Sequence, residues 1–133
     1  MRKFITFGFW LLAFGLLQSC SQPEPTQEEL AGKAVKEYYD RLLAGDYEGF
    51  LSGKADADSL PQDYRQQLLK AYEMYQQELG QTHGGIADVT VSNVRSDEAQ
   101  QLMQAFLLLH FKDSVKEEII VPMVQRSGMW KMR

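Results

Sequence analysis

The stretch "IADVTVSNV" (residues 86–94) decides the fold, because the apolar periodicity changes there and does not change back. Upstream, apolar residues recur at three- and four-residue intervals, the spacing of one helix face. Within the stretch they alternate, with Val89 and Val91 on one side and Asp88, Thr90 and Ser92 on the other, which is a half-buried strand. Helices first and strands afterwards predict an α+β domain with helices packed on an antiparallel meander.

Downstream, "RSDE" (95–98) closes a hairpin, and "AQQLMQAFLLLHFK" (99–112) is a long strand whose apolar run is expected to be covered on both faces. "KDS" turns the chain into "VKEEIIVPMVQR" (115–126), where Pro122 marks an edge position or a bulge, and "SGMWKMR" turns through Gly128 into a short last strand. Upstream, the spacing predicts a helix over residues 26–44, with Thr26 and Glu29 spaced as a capping box and Gly45 as its stop. Asp46 then caps a short helix carrying Phe50 and Leu51. A third helix is expected over 61–79, started by Pro61 and ended by Gly80, with "QTHGG" as the turn into the first strand.

A chain of 133 residues supports one domain with a single modest core, and 44% apolar with 24% charged residues is an ordinary globular composition. Without its first 19 residues the chain loses Arg2 and Lys3 and keeps 12 basic against 18 acidic residues, a net charge of −6. Phosphate binding needs clustered Lys and Arg, so no nucleic-acid partner is expected. The single cysteine, Cys20, excludes an intramolecular disulfide.

"MRK" is a basic start, and "FITFGFWLLAFGLL" (4–17) is an uncharged apolar run of signal-peptide length, short of the roughly 20 residues a membrane-spanning helix needs. The sequence Leu17-Gln18-Ser19-Cys20 resembles the lipobox of bacterial lipoproteins. Leu17, Ser19 and Cys20 match it, while Gln18 replaces the usual small or aliphatic residue. The resemblance implies that the Cys20 thiol receives a diacylglyceryl group, that the leader is cut before it, and that the new amino terminus is acylated. Residues 1–19 are then a lipoprotein signal peptide, 20–29 an anchor and Pro-containing tether, and 30–133 the folded domain. The expected location is extracytoplasmic, at the outer or cell membrane, with a periplasm-facing position favoured over surface display.

The long helix with "VKEYYDRLLAGDYEGF" (35–50), then further helices, then a meander ending in "VPMVQRSGMWKM" (121–132), resembles the cystatin-like, nuclear-transport-factor-two-like (NTF2-like) superfamily, and within it small lipoprotein domains of unknown function. The resemblance implies a curved sheet wrapped around helices as a cone. Some relatives are isomerases, dehydratases or cyclases with an Asp, His or Tyr in that cone, and many have no known activity.

His110 is the strongest candidate for such chemistry, sharing one strand face with Phe106 and Leu108. A base needs an orienting carboxylate, and Asp88, Asp40 and Glu37 are the available ones. Tyr38 and Tyr72 complete a candidate pocket, although both also suit core packing, while Tyr39 and Tyr75 are expected to be more exposed. His83 reads as a turn residue. Asp56 and Asp58 lack the glycine and terminal Glu of a calcium loop, and two histidines 27 residues apart make a poor metal site, so no metal and no cofactor beyond the acyl groups is expected. With no phosphate loop and no nucleophile elbow, the expected role is binding or scaffolding without catalysis. A strip along Phe106, Leu108 and Ile119 would receive an envelope protein or a second copy, and a small-molecule ligand in the cone, or an enzyme using His110 there, is the alternative.

Overall fold

A computed structural model of the chain describes residues 23–133. Leu17, Ser19, Cys20 and the leader lie outside the described residues. Helix α1 (Gln27–Leu43) starts where Thr26 Oγ1 accepts from the Glu29 amide (3.1 Å), so the expected N-cap is present. Gly45, at φ 80°, turns the chain after it. Asp46 accepts from the Gly49 amide (2.9 Å) and caps α2 (Tyr47–Leu51). A 3-10 turn (Ala57–Ser59) holds Asp58, with Asp56 at its cap, and leads through Pro61 into α3 (Gln62–His83).

Helix α3 corrects one expectation. It runs through Gly80, which is exposed and helical, and stops at Gly84 in the left-handed conformation (φ 77°). A mid-helix glycine costs about 1 kcal/mol relative to alanine without forcing an end. A positive φ that only glycine adopts freely does force one. His83, expected in a turn, is the last helical residue.

The strands β1 (Ile86–Asp97), β2 (Leu102–Phe111), β3 (Lys116–Arg126) and β4 (Met129–Met132) pair in order as an antiparallel meander. The sheet is open. β1 extends further than the pattern implied, since Arg95, Ser96 and Asp97 pair with Gln104, Met103 and Leu102. The turn therefore falls after Asp97, and Ala99, Gln100 and Gln101 are not strand. β1 carries register shifts between Ile86 and Asp88 and between Val91 and Asn93. Pro122 lies in an inner strand, yet its carbonyl accepts from Arg133 at the very end of the chain (2.9 Å). Its missing N–H thus falls where the β4 ladder runs out. The free side of β4 is closed by residues 53–55: the Met132 amide donates to the Gly53 carbonyl and the Ala55 amide to the Met132 carbonyl, both at 2.7 Å.

The core lies between α1 and one face of the sheet. Ala31, Val35, Tyr38 and Leu42 meet Val89, Ala105, Leu107, Leu109, Val121 and Met123 there, with Phe50 of α2 beside them. β2 shows the asymmetry plainly: Ala105, Leu107, Leu109 and Phe111 are buried, and Phe106, Leu108 and His110 between them are not. The expectation of cover on both faces fails for a simple reason. Among the described residues the helices stack on one side, so the alternation of β2 separates two different environments.

Candidate partner surface on the open sheet face

On the uncovered face, cross-strand rows can be followed from β1 to β3. Asp88, His110 and Lys116 form one row, Thr90, Leu108 and Glu118 the next, then Asn93, Phe106 and Ile120. His110 Nε2 and Thr90 Oγ1 are 2.9 Å apart, a bond between neighbouring rows. Ser92 Oγ donates to the Phe106 carbonyl (3.1 Å) and to Glu118 Oε2 (3.4 Å). The Arg95 guanidinium lies 4.9 Å from the centroid of the Phe106 ring, in cation–π range. Ile120 is 55% exposed. The face is thus polar toward the β2–β3 turn and apolar around Phe106, Leu108 and Ile120.

Ile119, expected in this strip, is not part of it. It pairs with Leu107 and packs against the core, and Ile120 takes its place opposite Phe106. The parity of β3 depends on its register with β2, which no local pattern states.

The candidate pocket residues do not converge. His110, Phe106 and Leu108 occupy the open face, while Tyr38 and Tyr72 lie on the helical side. The Tyr38 hydroxyl donates to the Trp130 carbonyl (2.8 Å), and the Tyr72 ring stands edge-on to Phe50 with centroids 4.9 Å apart. None of the three carboxylates considered for His110 hydrogen-bonds to it. Asp40 holds Lys36 Nζ at 2.7 Å, Asp88 lies 3.6 Å from the same nitrogen, and Glu37 is exposed on α1. Among the described residues no polar side chain is buried, so the space between α1 and the sheet is filled with hydrocarbon and aromatic rings.

The imidazole that does have a carboxylate is His83. Its Nδ1 is 2.8 Å from Asp113 Oδ2 in the β2–β3 turn, and its ring stacks on Phe111 at 4.6 Å. The His83 bond, reinforced by the Val115 amide, holds the Asp113 carboxyl below its ordinary range. This pair fastens the end of α3 to the sheet. It was invisible in the sequence because 30 residues separate its members.

Tyr39, expected to be exposed, is largely enclosed. Its ring stands edge-on to Phe50 (5.1 Å), and burial pushes its hydroxyl up to about 12. A folded pKa above the ordinary 10.0 means that the neutral phenol is preferred inside. The associated stability is present below pH 10 and is lost as pH rises toward 12, at most roughly 2–3 kcal/mol for two units. Urea unfolding at stepped alkaline pH should show Tyr39→Phe losing less stability than wild type across that window. Superimposable pH profiles would refute the assignment.

No protein-family description matches the sequence, and no curated protein does. Among solved structures, a Campylobacter jejuni protein provisionally described as an NTF2-like transpeptidase matches with a TM-score of 0.55. The match covers 75% of this chain and 94% of that one. The fold is NTF2-like. At 13% identity the likeness is one of fold, and the NTF2-like domain here must be read from its own residues. Among those described, no helix is long and apolar enough to cross a membrane, and no group of three His, Cys, Asp or Glu side chains is placed to hold a metal ion.

Proposed function

We propose that this NTF2-like domain is a non-catalytic binding or scaffolding module of the cell envelope, held at a membrane by acylated Cys20 and presenting its open sheet face to a protein partner. The observation that carries the reading is the asymmetry of β2: one face is packed, and the other offers Phe106 and Leu108 beside a 55% exposed Ile120. Large apolar side chains gathered on a polar-rimmed face mark interaction surfaces. The apolar interior supports the same reading, because a base in the cone needs a polar partner there and His110 faces the other way. The name of the Campylobacter jejuni protein brings no reaction to this chain, because at 13% identity the likeness extends to the fold alone.

The experiment has two arms. Intact mass and membrane fractionation of the native protein beside Cys20→Ala should show loss of the leader, a gain of acyl mass at Cys20, and release or precursor retention of the variant. A photo-crosslinker at Ile120 should then give a discrete adduct in intact membranes, and one at exposed Gln67 on α3 should not. An unacylated soluble wild type refutes the anchor. Equal, diffuse labelling from both positions refutes the surface.

A further inference from the structure

The tether meets the folded domain at one end of the sheet. Residues 23–26 are exposed and outside regular structure, Thr26 is extended, and α1 begins at Gln27. Gln27 is fastened to the β3–β4 hairpin: its Oε1 accepts from the Trp130 indole Nε1 (3.1 Å) and from Gln125 Nε2 (3.2 Å). The tip of that hairpin is a tight turn with Ser127 at φ 53° and Gly128 at φ 79°. Beyond it Met129 projects with 56% of its surface exposed, between exposed Arg126 and half-buried Trp130.

We propose that this hairpin tip is a membrane foot, which rests on the lipid-anchor reading of Cys20. Met129 and the outer edge of Trp130 sit in the interfacial zone of the bilayer, and the Arg126 guanidinium reaches lipid phosphate. The reach of the chain supports it. From Cys20 to Gln27 there are seven steps of at most about 3.6 Å, so the start of α1 stays within roughly 25 Å of the acylated residue. The element hydrogen-bonded to Gln27 is therefore the part of the sheet nearest the anchor along the chain, and it lies within reach of the headgroups.

The chemistry of the tip suits that position. Tryptophan is enriched at the headgroup level, an unbranched thioether inserts at little steric cost, and arginine extends from an apolar contact to a phosphate. Acidic groups share this end of the molecule: Asp97 and Glu98 at the β1–β2 turn, and Glu28 and Glu29 in the first turn of α1. The partner is accordingly a zwitterionic lipid surface, approached by apolar and aromatic contact, and strong attraction to anionic lipid is not expected.

The test uses the full chain, matured and acylated, reconstituted into phosphatidylcholine–phosphatidylethanolamine vesicles with brominated acyl chains. Intact mass first establishes that the leader is gone, and with it Trp10, leaving Trp130 as the one tryptophan. Its emission should fall severalfold relative to unbrominated vesicles. A bimane label on Ser127→Cys should be quenched likewise, and one on Ser114→Cys, in the β2–β3 turn at the other end, should not. Met129→Ser combined with Arg126→Glu should restore Trp130 emission while the protein stays on the vesicles. An acylated, vesicle-bound protein with unquenched Trp130 and Ser127 label overturns the foot and leaves the anchor standing. A mature chain without acyl mass that stays off the vesicles overturns both.

Discussion

Leu107→Ala is expected to lower the unfolding free energy by about 3–4 kcal/mol, and Leu108→Ala, one residue along the same strand, by less than about 1 kcal/mol. Leu107 has no exposed surface and lies at the centre of the α1–sheet core between Val91 and Ile119 of the flanking strands. Its truncation removes the transfer energy of the side chain and leaves a cavity that neighbours on three strands and a helix cannot collapse into. Leu108 sits on the open face, where water replaces whatever is cut away. Urea titrations of the two variants at neutral pH decide the matter. Equal losses would mean that the outer face is covered as fully as the inner one, and the partner surface would have to be given up.

Gly53→Ala is expected to cost about 2–3 kcal/mol although it adds a single methyl group. A Cβ at Gly53 would lie 2.6 Å from Tyr38 Cγ and 2.7 and 2.9 Å from the two Cδ atoms, closer than real Cβ atoms come. Neither wall is free to retreat. The Tyr38 ring is held by its hydroxyl bond to the Trp130 carbonyl, and the Gly53 backbone is held by its carbonyl bond to the Met132 amide. Both restraints end on β4, so relief of the clash must shift the strand that closes the sheet. The comparison variant is Gly80→Ala, where nothing lies within 4 Å of the new methyl and the helix gains up to about 1 kcal/mol. Thermal unfolding should show the two glycine changes moving Tm in opposite directions. A neutral Gly53→Ala would show that Tyr38 is not pinned as described.

The class of fold was legible because helical and alternating periodicities do not resemble each other, and because local chemistry marks element ends. Thr26, Asp46, Gly45 and the alternation of Val89 and Val91 each act through neighbours within a few residues. Gly80 misled for the same reason. A glycine ends a helix only when the chain needs its positive φ, and that need arises four residues later, at Gly84.

Even the alternation of β2 was correct as far as it went, placing Phe106, Leu108 and His110 on one face and Leu107, Leu109 and Phe111 on the other. Which face meets the helices depends on the hand of the sheet and the path of α1 across it. That information is spread over the whole chain. The same holds for Ile119 against Ile120, where the register with β2 sets parity, and for Tyr39, whose enclosure comes from Phe50 on another helix.

By itself, then, the sequence determined the element order, the single core, the absence of clustered basic charge, and the lipobox-like run that makes Cys20 a candidate anchor, since all of these are local or compositional properties. Tertiary structure alone decided which side of the sheet is bare, that His110 is separated from Tyr38 and Tyr72, that His83 meets Asp113, and that Gln27 ties the tether to the Trp130 hairpin. Those facts are read from contacts between residues 20 to 103 positions apart. Such contacts exist only after burial of the apolar faces has set the register of the strands and the course of the helix over them.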